Sequence, residues 1–334
     1  LWVYEVGQAP ARRCDVAFED PKRAWSVTRE DSEYVLALHE RGGLSLLNPV
    51  TGESRWRDGG GWLGHASHRA CMQFVPTPDD PESLGILVWA VIQRWNSRKS
   101  QSTGKLFAAS VTLDGLESKW EKPLTFEYEY ARLKICLSRT GAQGGELLLA
   151  IVTDNRLARL CPFCGAEQWA VEVTDPTPFA PVGLTCMQGP NDDPVLLLAT
   201  GRQQEDWILL VDGRNGTTQK KVPDPHPSEN QSSTSFGNEM HPANNGKVFV
   251  QLQHGMYGFL DVAGRLQIPS NPPTMFGWMD TPMTSTWIRH QRSEYLVIAV
   301  SPWANVSLPT QIVVIDPKTT DVIHQAWNHD FAPE

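Results

Sequence analysis

The sequence predicts an all-β fold, a β-propeller of about six (six to seven) four-stranded antiparallel blades. Short apolar runs recur along the 334 residues at steps of roughly 50 to 60 residues, a period typical of propeller blades. A tight turn rich in Asp, Asn, Pro and Gly follows each repeat's second apolar run. No stretch of about 11 residues keeps a helical period. Closing such strands into a ring removes their free edges, which favours a propeller over an open sheet.

The apolar runs mark the predicted second strand of each blade: residues 35–38, 86–91, 147–152, 195–199, 248–252 and 296–300. A β-like segment precedes each run, at residues 24–29, 68–75, 132–138, 182–188, 235–241 and 285–290. A third strand and a turn follow, as in LSLLNPVTG at 44–52. The predicted blades, in one domain spanning residues 1–334, are 24–57, 68–121, 131–173, 182–222, 235–269 and 285–328.

The last strand of a repeat often carries a tryptophan, as at Trp56, Trp120 and Trp169. We expect these side chains to pack against a neighbouring blade and to stabilise the fold. The segment LWVYEV at residues 1–6 also alternates like such an outer strand. It either completes a blade begun at the far end of the chain or belongs to a blade lying mostly upstream. Because residue 1 is Leu, we expect the chain to begin inside a longer precursor or parent protein.

The repeat resembles that of the quinoprotein-like (PQQ-repeat) propellers, whose loose consensus is an apolar strand, then L-x-x-L-D-x-x-T-G, then x-x-W. LSLLNPVTGESRWR at 44–57 matches best, and the resemblance covers residues 24–327. The family includes quinone-dependent dehydrogenases, outer-membrane assembly lipoproteins and scaffolds, so the resemblance implies a fold and not one function. Many of its dehydrogenases use adjacent cysteines beside the cofactor. This chain has no adjacent cysteine pair, so we expect no cofactor.

The charge and composition narrow the range of partners. A net charge of −9 and a pI near 5.5 would repel a phosphate backbone, so we expect no nucleic-acid partner. No apolar stretch approaches the roughly 18 residues of a membrane-spanning helix, which predicts a soluble protein. Six cysteines and the sequons at Asn215, Asn230 and Asn305 favour a secreted, luminal or periplasmic location over the cytoplasm.

The motif CPFCG at 161–165 is a candidate zinc or redox site, because Cys-x-x-Cys pairs serve in both. It occupies the place of NPVTG and DPKTT in other repeats, which favours a plain hairpin turn over a local disulfide or a metal site. Cys71, Cys136 and Cys186 fall in the strand expected nearest the axis. We expect them to be small apolar side chains between blades rather than soft-metal ligands.

Loops that join blades, and loops inside the central hairpins, form one face of a propeller around the axis, where ligands usually bind. The connection from 223 to 241 is long enough to be a contact loop. On a loop, the spacing of His65 and His68 has little geometric meaning, and we expect no metal site. The candidate binding residues are His39, His65, His68, Arg94, Trp95, Arg202, His241, His254 and Trp303.

Motifs for a calcium loop, a nucleophile elbow, a phosphate-binding glycine loop and a zinc protease are missing from the sequence. This favours a non-catalytic recognition or scaffold propeller that binds a protein partner or a small ligand on its axial face. The alternative is a secreted propeller enzyme, a hydrolase, lyase or oxidoreductase. It would use His65, His68, His241 or His254 at the axial mouth.

Overall fold

The computed structural model describes residues 2–3, 12–13, 21–29, 32–39, 43–49, 51–58, 72–77, 80–96, 101–126, 133–140, 145–153, 155–173, 181–200, 207–223, 236–242, 246–252, 257–269, 284–290, 293–300 and 311–327. They form six four-stranded antiparallel sheets, and the predicted fold class, a six-bladed β-propeller, is confirmed. Within each sheet the strands lie side by side in chain order. Among the described residues, no helix is both long and apolar enough to cross a bilayer.

The chain divides into two compact units, the first being Leu1–Ala131 with Leu160–Glu167. It begins with the short pair β1 (Trp2–Val3) and β2 (Arg12–Arg13). Blade 1 consists of β3 (Pro21–Arg29), β4 (Ser32–His39), β5 (Leu44–Leu47) and β6 (Ser54–Asp58). Blade 2 consists of β7 (Met72–Pro76), β8 (Gly85–Asn96), β9 (Gln101–Val111) and β10 (Leu116–Phe126).

The second unit is Arg132–Arg159 with Gln168–Glu334. Blade 3, whose turn at residues 160–167 belongs to the first unit, consists of β11 (Lys134–Arg139), β12 (Leu147–Thr153), β13 (Arg156–Leu160) and β14 (Glu167–Glu172). Blade 4 consists of β15 (Pro181–Gln188), a 3₁₀ helix (Pro190–Asp192), β16 (Pro194–Thr200), β17 (Trp207–Asp212) and β18 (Thr218–Pro223). Blade 5 consists of β19 (Phe236–Pro242), β20 (Lys247–Leu252), β21 (Tyr257–Asp261) and β22 (Leu266–Gln267). Blade 6 consists of β23 (Thr284–His290), β24 (Ser293–Val300), β25 (Gln311–Ile315) and β26 (Val322–Trp327).

The two described residues of the segment 1–6 lie in a strand that pairs outside the six described blades. Trp2 pairs with Arg13 and Val3 pairs with Arg12, in a separate two-stranded sheet. Closing a loop of about ten residues costs less entropy than pairing with a strand far along the chain, and this favours the local partner.

The middle strands of the blades are buried on both faces, whereas the outer strands are half exposed. All four residues of β5 are buried, as are the first six of β12. In β18, by contrast, only Val222 is buried. Strands covered on both faces need continuous apolar sequence, and this is why the apolar runs locate the middle strands so well.

A hydrogen bond links each outer strand of blades 1 and 2 to a turn beyond it, within the first unit. The indole Nε1–H of Trp56 donates to the carbonyl oxygen of Thr112 at 3.1 Å. That of Trp120 donates to the carbonyl oxygen of Pro162 at 2.8 Å. We call such a bond, from a side chain of one blade to a main-chain carbonyl in the last turn of the next, an inter-blade clasp. The clasps confirm that these tryptophans pack against a neighbouring blade.

The second unit repeats the clasp with a changing donor. Trp169 Nε1 donates to the Gly213 carbonyl at 3.1 Å. In blade 4, Lys220 Nζ takes the place of the indole and donates to the Ala263 carbonyl at 2.5 Å. In blade 5 the donors are Tyr257 Oη, to the Thr320 carbonyl at 2.6 Å, and Lys247 Nζ, to the Pro317 carbonyl at 3.0 Å. Any long side chain with a terminal donor can therefore fill this role.

Candidate functional site

Of the nine candidate binding residues, four lie on described strands. His39 ends β4, Arg94 and Trp95 lie near the end of β8, and His241 lies on β19. The other five lie outside the described residues: His65, His68, Arg202, His254 and Trp303.

The expectation that Arg94 and Trp95 occupy a loop is wrong. They pair with Thr103 and Ser102 of β9, and the pairing continues to Asn96. The neighbouring β10 extends alongside, with Phe126 paired to Ser102. Only residues 97–100 separate β8 from β9, so the main-chain ladder runs on through a polar sequence.

The strands β8, β9 and β10 of blade 2 are therefore longer than those of blades 3 and 4. They have 12, 11 and 11 residues, whereas β12 and β16 have 7 each. We call residues 92–96, 101–104 and 123–126 the blade 2 extension. At about 3.3 Å per residue, about five further residues lengthen the sheet by roughly 16 Å. A register shift between Ile92 and Arg94 lies where the extension begins, and such bulges re-aim side chains.

His241 was expected at the end of blade 5 where the inter-blade connection enters. It lies instead at the opposite end, beside the turns that join β19 to β20 and β21 to β22. The strand β19 begins at Phe236, and five residues later the chain has advanced about 17 Å. His241 pairs with Phe249, and the neighbouring pair of Lys247 with Asp261 lies beside the tight turn that follows β21. Its half-buried ring lies 6.1 Å from that of Phe249. The residue thus belongs to the turn end of blade 5 and not to the inter-blade connection.

The turn at CPFCG joins β13 to β14, as predicted. The amide of Gly165 donates to the Cys161 carbonyl at 2.9 Å, and the amide of Cys161 donates to the Ala166 carbonyl at 2.8 Å. Cys161 is half buried, Cys164 is exposed, and neither is in a disulfide. Phe163 at the tip is 55% exposed. Within the described ranges, no three His, Cys, Asp or Glu side chains are grouped to hold a metal ion.

Cys136 on β11 and Cys186 on β15 are buried in one apolar cluster that contains residues of blades 3 and 4. Burial raises the pKa of the Cys186 thiol to about 12, and burial also raises the pKa of Cys136. Both are therefore protonated small side chains in a core position, which confirms the expectation for these two. Cys71 lies outside the described residues.

Sequence reasoning missed Arg159, a buried cation on β13 that is 6% exposed. Its Nη1 donates to the Gly213 carbonyl at 3.0 Å, which also accepts the clasp of Trp169. Its Nη2 lies 2.5 Å from Glu146 Oε1. The signal was a second arginine in the strand RLARL at 156–160, at a position flanked by the apolar Ala158 and Leu160. Its contacts are structural, because they join blade 3 to the last turn of blade 4.

Comparison with known proteins shows the fold without a sequence family. No family model matches the sequence, and no curated protein matches it. Among solved structures, BBS1N in complex with ARL6DN superposes with a TM-score of 0.60 at 10% identity, covering 94% of this chain and 84% of that one. Sqt1 from Saccharomyces cerevisiae gives 0.50 at 9% identity, covering 87% and 70%. BamB from Moraxella catarrhalis gives 0.46 at 10% identity, covering 92% and 78%.

Proposed function

We propose that this chain is a non-catalytic recognition propeller that binds a protein partner through the end of its blades where the inter-blade connections lie. The blade 2 extension carries this proposal, because it adds surface at that end which a four-stranded blade does not require. Arg94 and Trp95 lie on it, and Arg and Trp are the residue types that most often dominate protein interfaces. The BBS1N structure, which has the same fold, is itself a complex with a protein, ARL6DN.

The base of the extension is joined to the rest of blade 2 by one buried side chain and one ion pair, which suits a binding surface. Leu124 is 8% exposed, and Lys105 Nζ lies 2.9 Å from Glu121 Oε1 across β9 and β10. A surface that is ordered before binding loses less conformational entropy when a partner docks. The paired main chain of the extension therefore supports the proposal of a three-stranded platform that forms before binding.

We also propose that the blades are of the quinoprotein-like type. The supporting observation is that all three tryptophans matching the x-x-W element make the same clasp. As a second occupant of the same binding end, we propose a small-molecule ligand at the axial mouth, near the candidates His39, His65, Arg202 and His254.

A secreted, luminal or periplasmic location is likewise a proposal. The sequon residue Asn215 lies exposed in the tight turn after β17 and would be open to glycosylation. Expression in a secreting eukaryotic cell should give a glycosidase-sensitive mass increase that Asn215→Gln reduces. A mass unaffected by that substitution would remove this support.

The binding proposal is tested by affinity purification of the tagged full chain, followed by reconstitution with the purified partner. The test variant is Arg94→Glu/Trp95→Ala. The matched control, Lys318→Glu/Ile323→Ala, also reverses one charge and truncates one large apolar side chain, but at exposed positions of blade 6. The test variant should weaken binding at least about tenfold with its fold intact by circular dichroism, and the control should not. Binding that survives the first variant, or is lost with the second, would place the interface elsewhere.

A further inference from the structure

Among the described residues, the turn at 161–165 is one of four with the same backbone hydrogen bond, and the other three show what the side chains of such a turn normally do. In each, the amide of the fifth residue donates to the carbonyl of the first, at 2.8 Å for Gly52 to Asn48, Gly216 to Asp212 and Thr320 to Asp316. The fifth residue has a φ of 69° at Gly165 and 68° at Thr320. Cys161 and Cys164 are the first and fourth residues of this turn.

In the other three turns, the first and fourth side chains are oxygen acceptors that hold the backbone. At the first position, Asp212 Oδ1 accepts from the Arg214 amide at 2.7 Å, and Asp316 does the same for Lys318 at 2.8 Å. At the fourth position, Asn215 Oδ1 accepts from the Thr217 amide at 2.8 Å. Sulfur is a weaker hydrogen-bond acceptor than oxygen, so turn stability alone does not favour cysteine at these two positions.

In the equivalent turn at 212–216, the first and fourth side chains reach one another. Asn215 Nδ2 lies 3.4 Å from Asp212 Oδ2 across the equivalent turn. Residues three apart in one helical turn have their Cβ atoms about 5–6 Å apart, and a disulfide needs about 3.5–4.5 Å, so only a small adjustment would join two cysteines there.

The frame that carries the two thiols is fixed at three points. Pro162 restricts its own φ, and its carbonyl accepts the clasp of Trp120 at 2.8 Å. Gly165 lies against the same indole, because a Cβ placed there would be 2.9 Å from the Trp120 ring. The remaining anchor is the amide of Cys161, bonded to Ala166.

We propose that Cys161 and Cys164 form a surface dithiol that closes into a disulfide within the turn by exchange with a low-molecular-weight disulfide such as oxidised glutathione. The exposed Cys164 thiolate attacks the small disulfide, forms a mixed disulfide and releases one small thiol. Cys161, as thiolate, then attacks Cys164 Sγ and expels the second small thiol. The turn loses two electrons and two protons, and the small disulfide gains both. The clasp of Trp120 holds the turn ready for the second step.

The experiment equilibrates the whole chain with glutathione and its disulfide at several ratios, quenches with acid and alkylates the remaining thiols. Cleavage after Arg159 and Glu167 releases residues 160–167, a fragment whose only cysteines are Cys161 and Cys164. We expect this fragment to become lighter by two hydrogen atoms as the disulfide share rises. The single variants Cys161→Ser and Cys164→Ser should instead stop at the glutathione adduct or stay reduced. A wild-type fragment that carries only glutathione adducts, or stays reduced throughout, would overturn the proposal.

A matched pair of variants tests the part played by the clasp. Trp120→Phe removes the N–H that bonds Pro162, whereas Trp169→Phe removes the same kind of bond at Gly213. Loss of one hydrogen bond should lower the closing equilibrium constant about two- to tenfold for the first variant, with less than about a twofold change for the second. Equal effects of the two variants would show that the clasp does not position the dithiol.

Discussion

Replacing Gly216 with alanine probes how closely one blade's tryptophan packs on the next turn. Gly216 has a φ of 79°, and an added Cβ would lie 2.9 Å from Trp169 Cε3 and 2.9 Å from Val171 Cγ1. The left-handed backbone should cost an alanine about 1–2 kcal/mol, and the overpacked contact about 1–3 kcal/mol more. We therefore expect Gly216→Ala to lower the free energy of unfolding by about 2–5 kcal/mol.

Gly246 separates the two contributions. Its φ of 74° is nearly the same, but an added Cβ would meet only the Gln188 carbonyl oxygen, at 3.8 Å. Gly246→Ala should thus show the backbone cost alone, about 1–2 kcal/mol. In a Trp169→Ala background, the extra cost of Gly216→Ala should fall by about 1 kcal/mol, because part of the clash has been removed.

The measurement is urea unfolding of the four variants and the wild type, followed by circular dichroism so that loss of a tryptophan does not alter the signal. The slopes should agree among variants, so that midpoint differences report stability. Equal costs for Gly216→Ala and Gly246→Ala, together with additivity in the double variant, would refute the claim that the indole packs tightly on this turn.

Three further outcomes are expected. Trp56→Ala should destabilise the chain by about 2–4 kcal/mol, somewhat less than a fully buried Trp because this one is half exposed, and an unchanged melting temperature would contradict its clasp. Burial raises the pKa of Tyr257 to about 12, so stability should be fully present below pH about 10 and fall as pH rises towards 12. Tyr257→Phe should cost about 0.5–1.5 kcal/mol for the lost bond to Thr320 and flatten that alkaline decline, as pH-dependent melting would show. Cys136 and Cys186, buried and protonated, should resist iodoacetamide in the native chain but react in urea, and mass spectrometry that found them modified natively would contradict their burial.

The strand positions were predictable because burial on both faces imposes a continuous apolar sequence. The predicted run at 147–152 is the strand Leu147–Thr153 within one residue, and 195–199 lies inside Pro194–Thr200. The turn residues were equally informative. CPFCG and NPVTG occupy the same position in their repeats, which predicted that the two turns have the same backbone conformation.

The blade 2 extension was not predictable in this way. Residues 93–103 are mostly polar, and their pairing comes from main-chain hydrogen bonds that any sequence can make. The position of His241 could have been predicted from the sequence. Adjacent strands run in opposite directions, so the last residues of a blade's first strand must lie beside the turn to its second strand. Lys220 and Tyr257 could not be predicted as clasp donors, because the clasp requires only a side chain long enough to reach the next turn and a donor group at its end, and not one residue type.

In each inter-blade clasp, the sequence constrains the donor side chain more strongly than the residue whose main chain accepts the bond. Each acceptor is a main-chain oxygen, which no substitution in the receiving turn can delete. The residue that supplies the accepting carbonyl is therefore free to vary in type, whereas the glycine packed against the donor ring, as at Gly165 and Gly216, and the donor position of the preceding blade are constrained. Successive blades can therefore differ in the accepting residue and still dock by the same bond. The six accepting residues named above already include four residue types, threonine, proline, glycine and alanine: Thr112, Pro162, Gly213, Ala263, Pro317 and Thr320.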